Sequence, residues 1–270
     1  MTRGDMIDAH LSGLAAALLP FRREAERLAD WGTELAWTLA RGGRILVAGN
    51  GGSAAEAQHL TAELVGKLRD DREPLSAIAL HAETSALTAI SNDYGYHEVF
   101  ARQVRAHGRT DDILLLLSTS GTSTNLLTAA HTAHETGLRC WAFTGPTPNP
   151  LADACHEVLA IDSPESQVVQ ELHLVATHVL CEYVDQALPL IRQLPTTTVT
   201  EPRGTRITGW APPLVPLLRD GHTASGHTAN GQRANGHTAN GHRGTGHSVD
   251  GHGRNGHHRN GSTGTGWVQR

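Results

Sequence analysis

Cysteine is scarce in this chain. Its 270 residues hold three, Cys140, Cys155 and Cys181, with no CxxC spacing among them. An odd number of thiols in otherwise apolar stretches is the pattern of small buried hydrophobes, not of a disulfide framework, and it argues for a reducing compartment. Long apolar runs are also missing: none approaches the roughly 20 residues a membrane span needs. The first ten residues are charged and lack the unbroken apolar segment of a secretory leader. These absences predict a cytoplasmic protein with no membrane partner. Positive charge is thin where a fold could form. Over residues 1–220 the acids outnumber Lys and Arg by nine, which argues against nucleic acid as a partner, because phosphate neutralisation needs clustered cations. No GxxxxGK[ST] run and no GxGxxG spacing occur, so neither a P-loop nor a dinucleotide fingerprint is indicated.

What is present divides into two physically different parts. Residues 221–270 hold 13 of the 29 glycines and 8 of the 18 histidines, with five Arg, no Lys and a single acid, Asp250. Glycine occupies every fifth position from 221 to 266, in units such as GHTAS, GHTAN and GHRGT. No apolar residue recurs often enough to offset the entropy of ordering such a segment, so a disordered tail is expected. Its histidines, His222 to His258, leave three readings open: a solubilising extension, a metal-holding or metal-delivering tail, or a partner-binding tail. Residues 190–220, rich in Pro and Thr, read as a linker, with Pro189 ending the last helix of the body.

Residues 1–189 alternate two periodicities. Ile7, Leu11, Leu14, Ala15 and Leu18, then Phe21, Leu28, Trp31, Leu35 and Leu39, repeat at helical spacing. Ile45 to Gly49 is a short, continuously apolar run bounded by glycines, as in a strand buried on both faces. Ala77 to Leu80, Ile113 to Leu117, Cys140 to Thr144 and Val158 to Ile161 are further buried-strand candidates. Helical stretches are expected over 54–68, 83–91, 97–107, 122–136 and 166–188. Apolar strands alternating with helices specify an α/β fold, a parallel sheet flanked by helices.

Ligands of such sheets bind beyond the carboxyl ends of the strands, and two loops there carry chemistry. Asn50-Gly51-Gly52-Ser53 follows the first strand, and Ser118-Thr119-Ser120-Gly121-Thr122-Ser123 follows the third; each leads into a helix. Hydroxyls beside the free N–H groups and positive dipole end of a helix make a cradle for phosphate or carboxylate. Ser and Thr also cap helices and turns with no ligand at all, but two such loops in register favour a small phosphorylated ligand. His59 and Glu63, four apart, project from one helix face. An imidazole and a carboxylate so placed can chelate a divalent metal, zinc above all; solvated helix faces carry the same pair without one. Gln170, Glu171, His173 and His178 lie on the last helix amid Leu172, Leu174, Val175, Val179 and Leu180.

Taken with Asn92-Asp93-Tyr94-Gly95-Tyr96, these motifs resemble, in order and spacing over residues 10–188, the phosphoheptose isomerase family of the sugar-isomerase (SIS) fold. The resemblance implies a flavodoxin-like, doubly wound sheet and conversion of sedoheptulose 7-phosphate to D-glycero-D-manno-heptose 7-phosphate, feeding nucleotide-activated heptose synthesis. It implies that Asn50, Gly51, Gly52, Ser53, Glu63, Asn92, Asp93, Ser118, Thr119, Ser120, Ser123 and Gln170 contact the substrate. One zinc ion per subunit would be held by His59, Glu63, Gln170 and His178, with Glu63 and His178 as the acid/base pair. The chain departs from the family at Lys67, where an Arg is frequent and bidentate phosphate recognition would be softened, and at Gln167, where many members carry an acid. The alternative that the resemblance leaves is a non-catalytic SIS relative that binds a sugar phosphate and a protein such as the replication initiator; the four metal-binding side chains favour the enzyme.

Gln170 and His178 are about 12 Å apart along an ideal helix and about 80° apart around it. Both reach one metal only from a distorted helix or from different subunits. Family members are tetramers with interfacial sites, which implies a homo-oligomer here.

Overall fold

The computed structural model describes residues 3–194. Five strands, β1 (Ile45–Gly49), β2 (Ala77–Ala79), β3 (Ile113–Ser118), β4 (Arg139–Thr144) and β5 (Glu157–Ala160), form one wholly parallel sheet in the order β2-β1-β3-β4-β5. Around it run α1 (Arg3–Phe21), α2 (Ala25–Ala40), α3 (Gly52–Val65), α4 (Thr84–Tyr94), α5 (Ala101–His107), α6 (Thr124–Thr136), α7 (Pro150–Ala154) and α8 (Ser166–Gln193). The doubly wound α/β fold expected from the sequence is the fold observed.

Alternation along the strands builds two cores. Ile45 and Val47, with Ile113, Leu115 and Leu117, face α2, α3 and α8, where Trp31 stacks on Trp141 at 4.6 Å between ring centroids. Leu46 and Ala48, with Leu114 and Leu116, face α5, α6 and α7. The strand order reverses direction between β1 and β3, so α3 leaves β1 toward one face and α6 leaves β3 toward the other. A crevice opens where the two chains part, the usual ligand position in such sheets.

Some element boundaries differ from expectation. β2 lies at the edge of the sheet and is only half-buried along its length, so its apolar run does not signify burial on both faces. The helix expected over 54–68 begins at Gly52 and stops at Val65. Pro189 does not end the last helix. α8 continues to Gln193 because Leu188 and Ile191 are buried in the core, and that burial outweighs the penalty of about 3 kcal/mol for an interior proline. The linker expected from 190 therefore starts inside a helix. The rest of it and the 221–270 repeat tail, expected to be disordered, lie outside the described residues.

Candidate active site

The turn after β1 sets one wall of the crevice. Gly51 has φ +57°, a backbone state that side chains disfavour, and a Cβ on Gly52 would stand 2.6 Å from Nε2 of Gln170. Two glycines therefore let α3 start beside α8. The opposite wall is the hydroxyl loop after β3. Ser118 Oγ accepts from the Gly121 N–H at 3.0 Å, and the Ser120 and Thr122 hydroxyls lie 3.0 Å apart. Ser123, the N-cap of α6, makes no side-chain cap, so its hydroxyl stays available to a ligand. Between the walls lies a cavity of about 140 Å³, lined by Asn50, Ser53, Leu117, Ser118, Thr119, Ser120, Ser123 and Gln170. The N-termini of α3 and α6 both open onto it, an arrangement suited to an anion.

Asn50 is locked in place by a reciprocal amide pair. Its Nδ2 donates to Asn125 Oδ1 at 3.0 Å, and Asn125 Nδ2 donates back to Asn50 Oδ1 at 2.9 Å. The Tyr96 hydroxyl donates to the same Oδ1 at 3.2 Å. With its oxygen occupied twice, Asn50 keeps one N–H to offer as a donor. Asn125 is buried and also accepts from the Leu126 N–H. Sequence reasoning missed Asn125 and the contact of Tyr96 with Asn50, although an Asn in the first turn after the hydroxyl loop was a usable signal. Asn92 and Asp93 do not line the cavity. They sit in the last turn of α4 and pair with each other at 2.8 Å.

Farther along the α3–α8 contact a second group assembles. His59 Nε2 lies 3.2 Å from Glu63 Oε1 and 2.9 Å from His178 Nε2, and one ligand atom from each of the three lies within 4.8 Å of the others. Two imidazoles and a carboxylate are the donor set of zinc. The two separations from His59, 3.2 and 2.9 Å, are close to the edge of about 3.3 Å of a tetrahedron with bonds of about 2.0 Å, so the donor set fits the metal. Arg72 holds this end of α3, donating to the carbonyls of Glu63 and Leu64 at 2.8 Å each and to Asp185 of α8 at 2.6 Å. Gln170, expected as a fourth ligand, lines the cradle instead, and α8 is one uninterrupted helix from Ser166 to Gln193.

Relatives carry the same framework. The family model described as the SIS domain matches residues 13–145. The phosphoheptose isomerase of Streptomyces coelicolor is 58% identical over 188 residues, 70% of this chain and 81% of that protein. That of a Bradyrhizobium strain is 42% identical over 187 residues, 68% and 94% of the two chains. The chain belongs to the phosphoheptose isomerase family. Two solved structures agree. A phosphoheptose isomerase from Neisseria gonorrhoeae superposes with TM-score 0.64 at 37% identity, over 68% of this chain and all of that one. One from Francisella tularensis gives 0.63 at 34%, over 69% and again the whole of that chain. This phosphoheptose isomerase relative is therefore an enzyme, an isomerase of sugar phosphates. Among its described residues no helix is long and apolar enough to cross a membrane.

Proposed function

We propose that the enzyme converts sedoheptulose 7-phosphate to D-glycero-D-manno-heptose 7-phosphate in the cytoplasm, supplying nucleotide-activated heptose synthesis. The observation that carries this reading is an anion cradle at the carboxyl ends of β1 and β3 together with a His-Glu-His cluster farther along the α3–α8 contact. A phosphate in the cradle, contacted by Asn50, Gly51, Gly52, Ser53, Ser118, Thr119, Ser120 and Ser123, anchors the chain away from its reacting carbons. Binding energy then orients the carbonyl end. Asn92 and Asp93, which lie outside this cavity, are contacts to the sugar on the family resemblance alone.

Glu63 takes the proton from the carbon next to the ketose carbonyl, and the cis-enediol that results collapses to the aldose when a proton is returned to the neighbouring carbon. His178 moves protons between the oxygens, a role suited to imidazole. His59, Glu63 and His178 would hold zinc, which would supply Lewis-acid polarisation of the carbonyl oxygen, a contribution of several kcal/mol.

The enzyme works as a homo-oligomer, a tetramer with interfacial sites, in which Gln170 completes a zinc site across the subunit boundary. Supporting this, the exposed face of α8 that presents His178 also presents Leu174 and Val175, and α1 exposes Ile7, Leu11 and Leu18 at about half their surface each. Such apolar patches beside a site mark an interface.

The test is aldose formation from sedoheptulose 7-phosphate by the purified protein, with and without a chelator. Conversion that stops on chelation and returns with zinc supports the reading. No conversion by zinc-loaded oligomer overturns it in favour of a binding protein.

A further inference from the structure

Between the cradle and the His-Glu-His cluster lies a third polar contact across α3 and α8. Gln170 abuts Gly52 at one level, and His178 meets His59 and Glu63 at another. Between these levels in sequence, Glu56 of α3 reaches toward His173 of α8. His173 is fully buried, and its Nε2 lies 3.1 Å from the Thr144 carbonyl oxygen. A carbonyl only accepts, so Nε2 carries the ring proton and Nδ1 presents a bare lone pair. That Nδ1 is buried without a hydrogen-bond partner among the described residues, and so is Glu56 Oε2, 3.8 Å away. Two acceptors facing each other away from water repel, and each bears the cost of an unmade bond.

We propose that Glu56 and His173 share a single buried proton, and that the resulting hydrogen bond fixes α3 against α8 so that Glu63 and His178 meet across the substrate. The two are positioning residues and do not touch substrate themselves. Burial supplies the order of occupancy: it lifts the Glu56 carboxyl to about 7 and pushes the His173 imidazole down to about 4. Below about pH 7 the pair is then a neutral acid donating to a neutral ring, which satisfies both orphaned atoms without a net buried charge. The inference rests on the roles proposed for Glu63 and His178, but the pairing itself is measurable without any substrate.

The experiment uses the full chain as wild type, Glu56→Gln, Glu56→Leu, His173→Leu and the double variant Glu56→Leu/His173→Leu. Thermal melting reads the pairing. Each single Leu variant leaves one buried orphan and melts several degrees lower, whereas the double removes both orphans and regains at least half of the larger loss. Additive losses overturn the proposal. Kinetics read the positioning. Glu56→Gln still donates an amide N–H to Nδ1 and keeps kcat within about threefold of wild type. Glu56→Leu loses about 10–100-fold in kcat, as outer-shell partners commonly do, with little change in KM, because the cradle is untouched. If folded Glu56→Gln is as impaired as Glu56→Leu, the proposal falls. A protein inactive on sedoheptulose 7-phosphate would refute the substrate reading while the melting series still decides the pairing.

Discussion

The Nε2 atoms of His59 and His178 lie 2.9 Å apart, with their ring planes 69° from each other. At this separation one ring must donate to the other, and a metal bound by the proposed set would take the place of that proton. Replacement of His59 by alanine should therefore lower zinc affinity by more than the roughly 10–100-fold that outer-shell changes cost, as read by competition titration against a chelator dye. The fold should survive, because the His59 side chain is 41% exposed.

Glu63→Gln should reduce turnover by about 10²–10⁴-fold, the range for losing a general base. Calorimetric binding of sedoheptulose 7-phosphate should change little, since the phosphate cradle lies elsewhere. Retained turnover in this variant would remove Glu63 from the proton-transfer step.

The amide pair makes Asn125 a sensitive position. Asn125→Asp replaces the N–H that holds Asn50 Oδ1 with an acceptor, so Asn50 loses its fixed orientation, and the new carboxylate repels the phosphate. The expected result is a rise of about tenfold in KM, the equivalent of one lost hydrogen bond of about 1.4 kcal/mol, with a smaller change in kcat. Steady-state kinetics on the single variant decides it.

Glu56 and His173 also predict an unusual pH response. Unfolded, the pair holds one proton between about pH 4.5 and 6.5, on the histidine; folded, it again holds one, on the carboxyl, up to about 7. Folding then takes up no net protons through this pair over that window, and its contribution to stability is flat. Glu56→Gln removes one of two opposing slopes. His173 stays neutral in the fold down to about 4 but is protonated in the unfolded chain below 6.5, so the variant should lose about 2 kcal/mol relative to wild type between pH 6.5 and 5. Urea titrations at the two pH values provide the comparison.

Leu11→Arg tests the assembly. On a monomer, a substitution at a position 53% exposed should matter by no more than about 0.5 kcal/mol. If α1 lies at a subunit interface, sedimentation should show smaller particles and isomerase activity should fall with them, while far-ultraviolet circular dichroism stays native.

The three central strands were legible because they are buried and so read as unbroken apolar runs; the two edge strands, β2 and β5, are largely half-buried, and their edge positions are invisible in so few residues. The two loops were legible for a related reason: a chain that must turn sharply at the end of a strand needs glycine, and one that holds an anion needs hydroxyls. His59 and Glu63 could be paired from their spacing. What sequence could not give was which side chains meet across elements. Asn125 reaches Asn50 over 75 residues, and His173 looked like any core histidine until Thr144 and Glu56 were placed beside it. Gln170 illustrates the same gap, since its neighbour Gly52 is known only once α3 and α8 are packed.

The sheet separates the two cores, with the His-Glu-His cluster on the side of α3 and α8 and the hydroxyl loop leading into α6 on the other. The two halves of the site therefore rest on opposite packed faces of one sheet, which we expect to open as separate cooperative blocks. Backbone amides behind α3 and α8 should exchange with deuterium at one characteristic rate, and those behind α5 and α6 at another. A sugar phosphate spanning the crevice would couple the blocks, slowing exchange on both faces together even though it touches only their rims.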